Sequence, residues 1–152
     1  MSARLDLHHA SPKSMEELMS FQEFADASDL EPRLLELVRT HVSELNRCAH
    51  GICRHSQRAR ELGETEERLH LLPVWKQTDL YTVRERAALA WAEAVTQVAG
   101  DVSDQEFQNA RTWYTEEELV ELTVVILATS AWNRMAVSFR QVPSVVLATL
   151  VG

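Results

Sequence analysis

Both cysteines of the chain and two of its six histidines fall within the stretch Ser43–Ser56. Cys48, His50, Cys53 and His55 bring thiols and proton acceptors together, the pairing that activates a sulfur nucleophile. If the stretch is helical from about Cys48, a rotation of about 100° per residue puts Cys48, Gly51, Ile52 and His55 on one side, with His55 nearly above Cys48 two turns on. A thiol and a base then share a face. Cys53 lies about 140° around the axis from Cys48 and about 7.5 Å along it, which disfavours a disulfide between them. A thiol at a helix start meets unsatisfied amides and the positive end of the dipole, both of which favour thiolate. Cys48 is therefore the nucleophile candidate, and Cys53, one turn further in, reads as a small buried apolar residue.

The elements that must position these groups are helices. Glu31-Pro32 opens one in which Leu34, Leu35, Leu37, Val38, Val42 and Leu45 form a broad apolar face. Glu36 lies among them and, by residue type alone, reads as a surface acid. Asn46-Arg47 breaks the chain, Asn being tolerant of the left-handed conformation that ends helices. The next helix runs from Cys48 to about Leu62 and stops at Gly63; Gly51 inside it costs about 1 kcal/mol relative to Ala and leaves a gap above Cys48.

Flanking segments follow the same logic. Ser11-Pro12 starts a helix to about Ala27, preceded by a short alternating apolar pattern that includes His8 and His9, read as a solvated pair. Glu64-Thr65-Glu66-Glu67 starts another, which Pro73 kinks or interrupts, with His70 structural or exposed. Thr82 with Glu85 and Ser103 with Glu106 mark further starts, the first opening a segment rich in small residues. Thr115-Glu116-Glu117-Glu118 caps a last long helix that is apolar nearly all round from Leu119 and must be covered on most sides. Asn133 and Arg134 on its continuation are candidates to line a pocket or an interface. The apolar tail from Pro143 to Gly152 is expected to dock on its own domain or on a neighbouring subunit.

At 152 residues the chain fits one all-α domain, 1–152, with enough buried surface to need no staples. Two cysteines close together, without a charged-then-apolar leader, suggest the reducing cytoplasm and free or redox-active thiols. A net charge of −8 opposes phosphate backbones, so no nucleic-acid partner is expected. The run Leu119–Trp132 is too short and polar for a bilayer span and reads as a core helix. No credible metal spacing and no nucleotide loop appear, so neither metal nor cofactor is expected.

The motif region resembles the alkylhydroperoxidase D (AhpD)-like core of the carboxymuconolactone decarboxylase family, whose redox members carry Glu, eleven residues, Cys-x-x-Cys, three residues, His. Laid on this chain, the pattern falls on Glu36, Cys48, Gly51 and His55, with Gly51 in place of the second cysteine. His50 matches a histidine that some alkylhydroperoxidases place inside the motif. Leu62–Glu66, Glu85–Ala94 and Ala131–Arg140 are also similar to the family, so the resemblance covers about residues 31–142. It implies an antiparallel helical fold assembling as trimers or hexamers. It also implies an antioxidant role, the reduction of organic hydroperoxides with a dithiol reductant. Glu36 and His55 would relay a proton, the second cysteine would attack peroxide, and the first would resolve the intermediate as a disulfide. Cys48, His55, Glu36, His50 and the altered position Gly51 are thus the site candidates. The missing sulfur leaves two alternatives: a decarboxylase-like acid-base enzyme, with His50 or His55 as proton carrier and Arg54 or Arg134 holding a substrate carboxylate, or a non-catalytic oligomeric scaffold. In the redox reading, restoring Cys at position 51 would raise hydroperoxide turnover by orders of magnitude.

Overall fold

The computed structural model describes residues 2–97 and 99–143, and no strand occurs among them. The helices are α1 (Leu7–Ala10), α2 (Pro12–Asp26), α3 (Pro32–Leu45), α4 (Ala49–Glu61), α5 (Glu66–Leu71), α6 (Val83–Thr96), α7 (Asp104–Arg111) and α8 (Glu116–Phe139). A 3-10 helix, Leu72–Gln77, continues α5. All-α architecture follows directly from the apolar periodicity and the caps. Thr82 with Glu85, Ser103 with Glu106 and Thr115 with Glu118 each form a reciprocal capping box. These satisfy backbone N–H groups that would otherwise be orphaned at the helix starts. At Pro73 the α-helical ladder ends and the chain tightens into the 3-10 turn, with Val74 out of helical geometry.

The core is built where α3, α6 and α8 meet. Leu34, Leu35, Val38 and Val42 of α3 pack with Leu122, Val125 and Ile126 of α8, and Ala88 and Ala92 of α6 let the helices approach closely. A second cluster joins Leu37 to Leu72, Trp75, Tyr81 and Leu89. Thus α3 is apolar toward two sides at once, and fully burying each such leucine contributes about 1.5–3 kcal/mol. By length and composition α8 could cross a membrane, but it is the centre of this core, with Leu122, Val125, Ile126 and Ala128 wholly shielded.

Four local features differ from the sequence reading. The first residues form the short helix α1, because the Asp6 side chain accepts the His9 backbone N–H as an N-cap. The left-handed residue between α3 and α4 is Arg47 (φ 53°), while Asn46 keeps right-handed geometry. On α8, Val120, Leu127 and Val137 remain exposed, so that helix is not covered on all sides by its own chain. Of the pair read as lining a pocket or an interface, Asn133 is buried at the wall of a cleft of about 880 Å³, whereas Arg134 is exposed on α8 and does not border it. The tail from Ser144 to Gly152, and with it the expectation of its docking, lies outside the described residues.

The strain at Arg47 is testable. A left-handed L-residue costs about 1–2 kcal/mol, part of which glycine gives back as lost chain entropy. Arg47→Gly should therefore raise unfolding stability by about 0.5–1 kcal/mol in a denaturant titration. A lower midpoint would show that the Arg47 side chain contributes more than its backbone costs.

Candidate active site

Glu36 is carried on the middle of α3, among leucines, and is only 6% exposed. Burial of a bare carboxylate is costly, so its two oxygens must be engaged. Glu36 Oε1 accepts from Arg39 Nη1 at 2.6 Å, one turn further along the same helix, and Glu36 Oε2 faces His55 Nδ1 of α4 at 2.9 Å. Arg39 reaches on to Asp26 at the end of α2, Nη2 to Oδ1 at 2.5 Å. A continuous line, His55–Glu36–Arg39–Asp26, therefore crosses three helices. Burial pushes the Glu36 carboxyl up, but the hydrogen bond and charge of His55 and the guanidinium of Arg39 outweigh it. The net result lies below the ordinary carboxylate range.

An ionised carboxylate can only accept, so His55 Nδ1 donates to Glu36 and Nε2 is left for other chemistry. The His55 side chain is 14% exposed and lines two adjoining clefts, of about 720 and 880 Å³. A carboxylate-oriented imidazole at a cleft wall is a competent proton carrier.

The sulfurs are placed differently. Cys48 is the N-cap of α4; its Sγ accepts the Gly51 backbone N–H at 3.3 Å, and the residue is 1% exposed. It lines neither cleft. Cys53 is half-buried and does line the smaller cleft, so the accessible thiol is the one that the sequence assigns to the interior. On α4, however, Cys53 and His55 are two residues and about 200° apart. The structure thus brings Glu36 and His55 together, adds His50 to both clefts, and leaves Cys48 beneath the surface. His50 Nδ1 lies 3.4 Å from the Val142 carbonyl, which holds the ring at the clefts' shared wall.

Gly51 is buried, and the space a side chain would take is filled. A Cβ there would overlap Asn133 Oδ1 of α8 and Ser43 Oγ of α3. Those two side chains bond to each other, Asn133 Nδ2 to Ser43 Oγ at 3.2 Å, and Ser43 also donates to the Arg39 carbonyl at 2.8 Å. Hence no gap is left above Cys48, and a cysteine at 51 would have to displace a bonded pair. Arg39, Asp26 and Ser43 were not singled out by residue type. The i,i+3 spacing of Glu36 and Arg39 was the available signal for the first.

Comparison with known proteins agrees with the all-α fold. The carboxymuconolactone decarboxylase family model matches residues 12–94. An uncharacterised protein, YdfG, of Bacillus subtilis (strain 168) is 32% identical over 139 residues, covering 91% of this chain and 95% of its own. A protein of unknown function from Agrobacterium tumefaciens, with a suggested AhpD-type role in antioxidant defence, is 34% identical; the match covers 93% of this chain and 98% of that one, with a TM-score of 0.90. An uncharacterised peroxidase-related protein from Ralstonia eutropha JMP134, an alkylhydroperoxidase AhpD core, shares the fold at 19% identity, covering 90% of this chain and 73% of its own with a TM-score of 0.80. The chain belongs to the carboxymuconolactone decarboxylase family, and its fold is AhpD-like.

Two outcomes follow from the site's packing and charge. Gly51→Ala, which in an open helix would gain about 1 kcal/mol, should here lose about 1–3 kcal/mol by overpacking against Ser43 and Asn133; a raised melting temperature would show that the pair swings aside freely. Because Glu36 titrates below its reference value of 4.5 when folded, its contribution is complete above that pH and is lost as the pH falls through the lowered value. Acid should therefore lower the denaturant midpoint of the native chain more steeply than that of Glu36→Gln, and equal slopes would contradict the pairing.

Proposed function

We propose that this protein is a proton-transfer enzyme in which His55, oriented by Glu36, works on a small organic substrate in the joined clefts without a two-thiol disulfide cycle. The observation that carries this reading is the 2.9 Å contact between Glu36 Oε2 and His55 Nδ1 beside a cleft where position 51 supplies no sulfur. Chemically, His55 Nε2 takes a proton from substrate while the Glu36 carboxylate stabilises the imidazolium, and the same nitrogen returns the proton to product. This is the acid-base chemistry of the decarboxylase branch. Histidines and an arginine, Arg54, that has no ion pair among the described residues share a cleft with apolar side chains, which is what such a substrate requires.

A second reading has its own support, the exposure of Cys53 to the smaller cleft and the antioxidant role suggested for the Agrobacterium relative. Here the Cys53 thiolate attacks the distal oxygen of a hydroperoxide, the O–O bond breaks, and a proton on the cleft histidine accompanies the departing alkoxide, leaving a sulfenic acid and an alcohol. An external dithiol then reduces the sulfenic acid, releasing water and forming its own disulfide. In either reading the reducing cytoplasm is the proposed location. The exposed Val120, Leu127 and Val137 of α8 support the proposed homo-oligomer of trimers or hexamers.

The test compares turnover of carboxymuconolactone with consumption of cumene hydroperoxide in the presence of dihydrolipoamide. It uses the native chain, His55→Gln, Cys48→Ser and Cys53→Ser. His55→Gln should lose about 100-fold or more on whichever substrate is turned over, and Cys48→Ser should keep the native rate. Cys53→Ser decides between the two readings, being silent in the first and inactive in the second. Loss of turnover in Cys48→Ser with none in His55→Gln would overturn both.

A further inference from the structure

The two clefts that meet at His55 differ in character. They share Gln22, Asp26, His50, Arg54 and His55 as a common wall. The smaller one, between α2, α3 and α4, is polar, and its charges are largely engaged: Asp26 and Glu36 by Arg39, Arg58 by Glu61. The larger one runs from the start of the chain to the second half of α8, past Leu5, Leu7, Met19, Trp132 and Met135. Volumes of about 720 and 880 Å³ are those of small-molecule sites.

Arg54 stands on the common wall, exposed, with no ion pair or hydrogen bond among the described residues. The acids of the apolar cleft are otherwise occupied, Asp6 as the α1 cap and Asp26 by Arg39, except Glu23 on α2. A free guanidinium between a polar and an apolar cleft matches a ligand that is charged at one end only.

We infer that the joined clefts bind a small amphipathic organic acid, with a carboxylate at one end and an alkyl or aryl body at the other. The carboxylate lies at Arg54, and the body extends along Leu5, Leu7, Met19, Trp132 and Met135. This placement sets the carbons next to the carboxylate beside His55, the following residue of α4. The inference rests on the reading of His55 as the working group and adds the class of molecule it meets. Apolar burial makes affinity rise with chain length, by about 4-fold per methylene fully covered. The carboxylate at Arg54 then distinguishes the acid from its alcohol.

The experiment is equilibrium binding of hexanoate, octanoate, octanol and octylammonium to the intact chain by calorimetry, with the native protein, Arg54→Gln, Met135→Asp and Arg134→Gln. Octanoate should bind about 10-fold or more tighter than octanol and tighter than hexanoate. Arg54→Gln, a change at an exposed and unpaired side chain, should level the acid with the alcohol. Met135→Asp should weaken both, with circular dichroism confirming that each variant is folded. Arg134→Gln, which removes the same charge at an exposed position bordering neither cleft, should bind octanoate as the native chain does, and because binding is read without turnover, a failure of the proton-transfer reading leaves this result standing. Equal affinity for octanoate and octanol in the native chain, preference for octylammonium, no binding at millimolar concentration, or an acid preference that survives Arg54→Gln would each overturn the inference.

Discussion

The structure depends on how one buried carboxylate is compensated. Glu36 occupies a position on α3 whose neighbours Leu34, Leu35, Leu37 and Val38 are all withdrawn from water. Leaving such a group without partners would cost several kcal/mol, and removing one partner of a buried ion pair costs about 3–5 kcal/mol. Arg39 takes one oxygen and His55 the other, while Asp26 steadies the far side of the guanidinium. The contacts that make the burial tolerable also join α2, α3 and α4 and fix the imidazole's tautomer. Stability of the packing and orientation of the proton carrier are therefore one requirement, met by the same bonds.

The same solution recurs elsewhere among the described residues, away from the two clefts that His55 lines. Glu64, whose side chain is fully shielded, accepts from Arg68 Nε at 2.7 Å, Arg33 Nη2 at 3.2 Å and the Thr65 N–H at 2.9 Å, tying α3 to α5. His41, 2% exposed, lies between Glu44 and Glu93, and Glu93 also accepts the Trp75 indole N–H at 2.8 Å. What distinguishes Glu36 and His55 from these knots is access. Gly51 contributes in a different way: with no side chain, it admits the Ser43–Asn133 pair and lets α3, α4 and α8 close on one another.

Much of this architecture is legible in the chain. Capping boxes at Thr82, Ser103 and Thr115, Pro32 at a helix start and Gly63 at a helix end are local signals, and each takes effect where it stands. The pairing of Glu36 with His55 could be anticipated only by resemblance, since nothing in the local chain says that an acid among leucines meets a residue nineteen positions away. Accessibility was not legible. Cys48 and Cys53 differ by five positions, and helical geometry separates their directions, but which direction faces solvent depends on where α2 and α8 pack. For the same reason the gap expected at Gly51 is absent: the side chains that fill it come from α3 and from α8, the latter some eighty residues downstream. The left-handed turn fell on Arg47 because backbone geometry at that junction is set by the docking of α4 on α3, not by which neighbour tolerates it best.

The most direct test of the account is the protonation pattern of His55, read from long-range proton–nitrogen correlation spectra of the labelled chain at pH 8, with His55→Gln assigning the signal. Hydrogen bonding to Glu36 requires Nδ1 to carry the proton and Nε2 to be the bare nitrogen facing the clefts. A neutral ring protonated at Nε2, or one exchanging freely between the two forms as in an unstructured peptide, would contradict it.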